Sequence, residues 1–203
     1  MIAVVSDPAS RNHLRRRLRA RRQALTPAEQ TRAAQALVVQ LSATRLFRVS
    51  RRIALYLPND GEIEPQAVME RVWQMHKTCY LPILSRLRHD RLWFAPFTPD
   101  TPLAVNRFGI AEPQVPARRW RRAQDLDLIL MPLVAFDAHG NRLGMGGGFY
   151  DKSLAFLRSR GRWHKPHLLG LAHDFQRVDR LDTCAWDVPL QGVATDRTVY
   201  LFG

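Results

Sequence analysis

The sequence predicts an α/β fold: a mostly parallel sheet with helices on both faces, in three layers. Three observations carry this expectation. Short apolar runs at residues 53–57, 78–83, 92–97, 126–131, 166–172 and 198–202 read as strands. Amphipathic patterns at helical spacing stand before and between several of them. The run at 126–131 leads through a glycine-rich stretch into another helical pattern, and ligand loops follow strand ends in this way in open α/β sheets. At 203 residues and 46% hydrophobic content the chain can bury one sizeable core, so a single domain over 1–203 is expected.

Ser10 is placed to cap a helix over 11–24. Leu14, Leu18 and Leu25 form one apolar stripe on it. Arg11, Arg15 and Arg22 fall on the adjacent stripe, at the edge where the helix meets the body, while Arg16, Arg17, Arg19 and Arg21 point elsewhere. A solvated face is the ordinary reading of such a charge run, and it covers the second group better than the first. Thr26-Pro27-Ala28-Glu29 is a capping box with proline at the first helical position, and Ala33, Ala34, Leu37, Val38 and Leu41 continue at helical spacing.

The strand at 53–57 stops at Pro58-Asn59-Asp60-Gly61, a turn signal. Glu62 follows, then Ile63, Glu64 and Pro65, which opens a third helix. On the residues alone, Glu62 is either a charge at a helix start or a ligand contact. The strands at 78–83 and 92–97 are separated by a basic loop with His89, and prolines 96, 99 and 102 mark an irregular connection. Phe108 reads as ordinary core or as an aromatic lining a flat-ring pocket. Residues 115–122 read as a solvated arginine-rich loop, and 166–172 and 198–202 as the last strands.

The stretch 131–151 organises the rest. It holds Gly144, Gly146, Gly147 and Gly148, bracketed by Arg142 and Asp151 and followed by a helical pattern over 150–160. Successive backbone amides at a helix start form a concave anion site, and glycine permits close approach. Arg142 offers a planar fork for phosphate, and Asp151 is a hard oxygen donor of the kind Mg²⁺ accepts. One or two glycines would suffice for a plain turn; four within five positions favour phosphate. No Walker loop is present. The dinucleotide fingerprint fails in both frames, where Phe149 or Asp151 holds the third glycine place.

From Pro132 to Asp151 the chain instead resembles the 5-formyltetrahydrofolate cyclo-ligase (methenyltetrahydrofolate synthetase) family, through Pro-x-x-x-Phe-Asp-x-x-Gly-x-Arg-Leu-Gly-x-Gly-x-Gly-[Tyr/Phe]-Tyr-Asp. Asn106-Arg107-Phe108-Gly109-Ile110-Ala111-Glu112-Pro113 is similar to a second family segment, and Trp186-Asp187-Val188-Pro189-Leu190 to a third, with Gln191 near the place of a family acid. The resemblance implies a Rossmann-like sheet shared with ribose-5-phosphate isomerase and CoA transferases. It implies ATP-dependent ring closure of 5-formyltetrahydrofolate to 5,10-methenyltetrahydrofolate, with release of ADP and phosphate. By the same resemblance, ATP contacts fall on Arg11, Arg15, Arg142, Leu143, Gly144, Met145, Gly146, Gly147, Gly148, Phe149 and Tyr150. Arg11 stands where the family has lysine, and Phe149 where many relatives have tyrosine. Folate contacts fall on Leu57, Glu62, Gly146, Gly147, Gly148 and Phe149. Arg142 and Tyr150 take the catalytic places, and Asp151 and Asp187 hold Mg²⁺.

The net charge of +13 raises a nucleic-acid reading. Of 31 basic residues, however, all but Lys77, Lys152 and Lys165 are arginine, scattered along the chain without a recognisable binding motif. That pattern looks like a compositional habit, and a basic surface also suits ATP and a polyglutamylated folate. A nucleic-acid module would leave the glycine loop unexplained. A sugar-phosphate enzyme on the same sheet is the other rival, since fold does not fix function. Two cysteines without metal-ligand spacing point to a reducing compartment, and the first ten residues do not read as a signal peptide. No apolar run reaches the ~18 residues of a membrane span. A cytoplasmic monomer acting on small molecules is expected.

Overall fold

The computed structural model describes residues 8–84, 91–106, 109–159 and 165–202. The basic loop with His89, Phe108, the first seven residues and the end of the pattern at 160 lie outside them. In chain order the elements are α1 (Pro8–Gln23), α2 (Pro27–Ala43), α3 (Arg45–Val49), β1 (Arg52–Ala54), α4 (Gln66–Gln74), β2 (Thr78–Leu84), β3 (Leu92–Phe97), β4 (Leu103–Val105), β5 (Ala111–Pro113), β6 (Leu128–Pro132), β7 (Ala135–Phe136), β8 (Arg142–Leu143), α5 (Phe149–Leu154), β9 (His167–Ala172), β10 (Gly192–Thr195) and β11 (Val199–Leu201).

A seven-stranded sheet in the order β11-β10-β9-β6-β1-β2-β3 forms the centre. Its four inner pairings are parallel, and the two edge pairings, β2 with β3 and β10 with β11, are antiparallel. The expected mostly parallel α/β sheet is therefore present. On one face α2 and α4 bury Leu37, Leu41, Val68, Met69 and Val72 against Leu55, Leu81, Leu130 and Leu169. The other face is covered by α5 and by connecting segments, with Phe136, Leu154, Val188 and Leu190 over Ile129, Met131 and Leu168.

The capping box of α2 is formed: Glu29 N donates to Thr26 Oγ1 (3.3 Å), and Thr26 N donates to Glu29 Oε2 (2.8 Å). α1 starts at Pro8, not after Ser10. Proline at a first turn has no amide to satisfy and a helical φ already set, so it extends the helix. α5 is a single short helix that runs on as a 3-10 turn over Ala155–Ser159. The 115–122 segment does more than solvate, since Arg121 exchanges backbone hydrogen bonds with Phe94 (2.8 and 2.9 Å).

The amino rim of the sheet is pinned by Asp127. Its carboxylate accepts from the amides of Arg51 (3.0 Å) and Arg52 (2.9 Å) and from Lys165 (2.9 Å). Burial alone would raise this carboxyl, but those donors outweigh it and hold it at about 2. A depressed carboxyl stabilises the fold above its unfolded value of 3.8 and loses that contribution as pH falls towards 2. Asp127→Asn is therefore expected to lower stability at pH 7 by about 1 kcal/mol, allowing for partial exposure. In thermal melts the difference from wild type should shrink below about pH 4 and vanish near pH 2.

The basic residues are spent on many separate contacts. The Arg21 guanidinium lies 4.2 Å from the Phe175 ring centre, and Arg177 lies 4.7 Å from that of Tyr200. Lys77 donates to the carbonyls of Phe47 and Arg48, Lys165 serves Asp127, and Lys152 is exposed on α5 beside Gly148. No helix among the described residues is long and apolar enough to cross a membrane.

Candidate active site

Three pieces of chain meet at the carboxyl rim of the parallel strands. The first is the β7–β8 hairpin with the loop that follows it. Asp137 is fully buried and accepts from the amides of His139 (2.9 Å), Asn141 (3.0 Å) and Leu181 (2.9 Å), and from Asn141 Nδ2 (2.9 Å). That carboxylate shapes the turn that delivers Arg142. The Arg142 guanidinium donates to the Val188 carbonyl and to Asp151 Oδ1, so it is held from two sides.

Leu143 is buried beneath α1, and the chain then surfaces, with Met145, Gly146 and Gly147 exposed. Gly146 has φ +103° and Gly148 φ +66°, values that a side chain would strain. The Phe149 ring lies under Gly147, where an added Cβ would stand 2.9 Å from it. Among the described residues the amides of Gly146, Gly147 and Gly148 donate no backbone hydrogen bond. Exposed, uncommitted amides beside a guanidinium suit an anion.

The second piece is α1, which lies over the hairpin through Leu14 and Leu18 against Val134, Ala135 and Leu143. Arg15 Nε donates to the Gly144 carbonyl (2.9 Å), and its guanidinium stands 4.0 Å from where a Cβ at Gly146 would be. Burial, and then the neighbouring Arg11 charge, lower its pKa. Arg11 does not reach the loop: Nη1 donates to Cys184 Sγ (3.4 Å), and Nη2 is 4.0 Å from Asp187 Oδ2. Asp187 Oδ2 also accepts from Cys184 N (2.8 Å), while the Val188 amide donates to Asp151 Oδ1 (3.4 Å). The two aspartates thus come to adjacent links of one turn. No group of three or more His, Cys, Asp or Glu suited to a metal occurs among the described residues, and each of the two aspartates lies beside an arginine.

The third piece is the end of β1. Leu57 is half-buried against the core, and the turn passes through Asp60 at φ +54° and Gly61 at φ +71°. Glu62 Oε2 accepts from Asn59 N (3.2 Å). Burial pushes this carboxyl up to about 7, opposed by the Asn59 amide and by Arg22. Tyr150, at the start of α5, is itself pushed up by burial and then by the Glu62 charge.

The match to the model of the 5-formyltetrahydrofolate cyclo-ligase family runs over residues 7–196, nearly the whole chain. The chain belongs to that family. It is similar to the 5-formyltetrahydrofolate cyclo-ligase of Escherichia coli strain K12, with 37% identity over 183 residues covering 90% of this chain and 98% of that one. The Haemophilus influenzae cyclo-ligase is 39% identical over 182 residues, covering 89% of this chain and 94% of its own. The NMR structure of Aquifex aeolicus 5,10-methenyltetrahydrofolate synthetase matches with a TM-score of 0.78 at 30% identity, covering 94% of this chain and 92% of that one. All three pieces of the rim fall inside the cyclo-ligase match.

Several contacts around this rim carry no local signature in the sequence. Arg19 reads from sequence as solvated, yet it donates to both oxygens of Asp60 (2.6 and 3.2 Å), because a long side chain can lie along the body from an edge position. Asp60 read only as a turn residue, and nothing in the turn's sequence announces its arginine partners. Gln191, near the place of a family acid, accepts from the Leu168 amide (3.0 Å) and so serves the sheet.

Proposed function

We propose that this protein is an ATP-dependent cyclo-ligase that converts 5-formyltetrahydrofolate to 5,10-methenyltetrahydrofolate, with release of ADP and phosphate. The observation that carries this reading is the juxtaposition, at one sheet rim, of an exposed glycine loop under Arg15 with a largely shielded carboxylate, Glu62, in the turn that follows β1. An anion cradle suits ATP, and a carboxylate acceptor suits the N–H-rich edge of a pterin. Membership of the cyclo-ligase family supports both halves. On this reading the sheet is of the Rossmann-like kind found in ribose-5-phosphate isomerase and CoA transferases. The chain acts as a single-domain cytoplasmic monomer, and its arginine-rich surface also suits polyglutamylated folate.

A formamide oxygen leaves poorly. In the proposed sequence that oxygen attacks the γ-phosphorus, ADP departs, and the formyl carbon becomes an imidate phosphate. N10 of the folate then attacks that carbon, loses its proton, and phosphate leaves with the former formyl oxygen. Positioning and charge stabilisation are what such a transfer asks of the protein. The cradle would run from Leu143 through Gly144, Met145, Gly146, Gly147, Gly148 and Phe149 to Tyr150. Arg142, oriented by Asp151 and Val188, and Arg15 above Gly144 would meet the phosphates, with Arg11 at the Asp187 side. Leu57, Glu62 and the Gly146–Phe149 side of the loop would bound the folate. Asp151 and Asp187 would hold Mg²⁺, whose donor preference two carboxylates plus phosphate oxygens satisfy. When bound, the ion would neutralise charge building on the phosphates.

ATP turnover strictly dependent on 5-formyltetrahydrofolate, with methenyl product formed in step, tests the proposal. Folate-independent turnover, or none, would overturn it. A finer prediction separates the arginines of α1. Arg15→Ala is expected to raise KM for ATP about tenfold or more, the loss of one charge-assisted contact. Arg17→Ala, on the exposed face, should leave it unchanged. Equal small effects would return the whole run to solvent.

A further inference from the structure

We propose that Arg22 is a positioning residue whose buried guanidinium sets the place and charge of the Glu62 carboxylate. The inference rests on the reading that Glu62 touches the folate. Arg22 is only 1% exposed and ranks among the largest fully buried side chains of the protein. A cation is rarely buried this far unless it is paired. Arg22 Nη2 donates to Asp60 Oδ2 (2.8 Å), Nη1 donates to the Leu133 carbonyl at the end of β6 (3.2 Å), and Nη1 stands 4.0 Å from Glu62 Oε1. Asp60 is also claimed by Arg19 and Gln23, so the Arg22 charge is not wholly consumed there.

The turn between the two carboxylates is fitted to Arg22. A Cβ at Gly61 would meet the Arg22 carbonyl carbon and oxygen at 2.9 Å. The Gly61 carbonyl accepts from Gln30 Nε2 of α2 (3.2 Å) and lies 3.4 Å from His173 Nε2 beyond β9. Structural burial of one arginine needs one carboxylate; here two from a single turn bracket it. Arg22 also lies seven residues after Arg15 and eleven after Arg11, about two and three helical turns away on one stripe. One helix therefore carries cations at the glycine loop and the clamp at the β1 turn.

Glu62 is faced by Arg22 from α1, Asp60 of its own turn, Tyr56 beyond β1 and Tyr150 from α5, with Glu64 near Tyr56 and His173 near Arg22. Of these the cation is Arg22. An ionised carboxylate only accepts hydrogen bonds, whereas a protonated one presents a donor where the folate would also present one. Burial raises Glu62 to about 7 even with Arg22 in place. Without that cation, the ionised form withdraws to higher pH.

The test is steady-state kinetics of the full-length protein from pH 6 to 9, varying 5-formyltetrahydrofolate and ATP separately. For wild type, kcat/KM for the folate should rise through about pH 7. For Arg22→Gln the rise should move up by about one unit, giving roughly tenfold loss at pH 6.5 that largely recovers by pH 9, with KM for ATP within about twofold. Arg22→Lys should restore most of the pH profile. A loss equal at every pH, or shared by both substrates, would overturn the proposal in favour of a plain structural clamp. If Arg22→Gln does not fold, Arg22→Lys decides. An ammonium cannot fork between Asp60 and Leu133, so KM for the folate should rise at least about threefold, and an unchanged KM overturns the proposal. Glu62→Gln separates the two levels. If it leaves KM for the folate unchanged, the folate-side reading and this proposal both fall. If it raises KM while Arg22→Gln leaves the pH profile in place, only the Arg22 proposal falls.

Discussion

Asp151→Asn is expected to lower kcat on the order of 100-fold, the usual loss on removing one preorganised electrostatic group from a phosphoryl-transfer site. Helix capping cannot explain such a loss. The residue preceding α5 is Gly148, which makes no side-chain cap, and asparagine would serve near a helix start as well as aspartate. Two other causes are open to separation. Asp151 orients Arg142, and with Asp187 it offers the oxygen pair proposed for Mg²⁺. Asp187→Asn leaves the Arg142 pair intact, so a similar loss there, partly rescued by raising Mg²⁺, assigns both effects to metal. A loss confined to Asp151→Asn and indifferent to Mg²⁺ assigns it to Arg142. Near-wild-type rates in both variants would remove the two-carboxylate site.

Gly146→Val carries the second large effect. At φ +103° the backbone is one that a β-branched residue adopts only under strain. The new Cβ would start 4.0 Å from the Arg15 guanidinium, so its methyl groups would press on that side chain. Strain and displacement of order 3 kcal/mol correspond to about 100-fold weaker ATP binding. The loop is exposed and its amides hold no other backbone, so the melting temperature should move by only a few degrees. Titration with ATP showing unchanged affinity on an intact fold would take the loop out of the site.

The parts of the fold that could be read from sequence are those where a local pattern coincides with what decides the structure. Thr26 to Glu29 encode the α2 cap within four residues, and the runs that became β2, β3, β6 and β9 are continuous enough to place within two residues. β10 escaped because Gly192–Thr195 is only four residues long, and it is fully buried between β9 and β11, neighbours that local sequence does not name. The two-residue strands β7 and β8 exist through pairing and through Asp137. The antiparallel sense of β3 and β11 is a property of partners. The site divides in the same way. Four glycines in five positions are visible along the chain, but the ion pairs of Asp60 with Arg19 and Arg22 span about forty residues and leave no spacing to detect.

The rarity of lysine has a consequence for covalent labelling. A reagent that acylates side-chain amines passes over guanidinium groups and meets only Lys77, Lys152 and Lys165. Lys77 is engaged by two carbonyls, while Lys165, paired with Asp127 at the amino rim, and Lys152, one turn past Gly148, both stand exposed. Mild acylation of this strongly cationic protein would thus mark the edge of the glycine loop and the opposite rim of the sheet, and occupancy of the loop could be followed by protection of Lys152 with Lys165 as the internal reference.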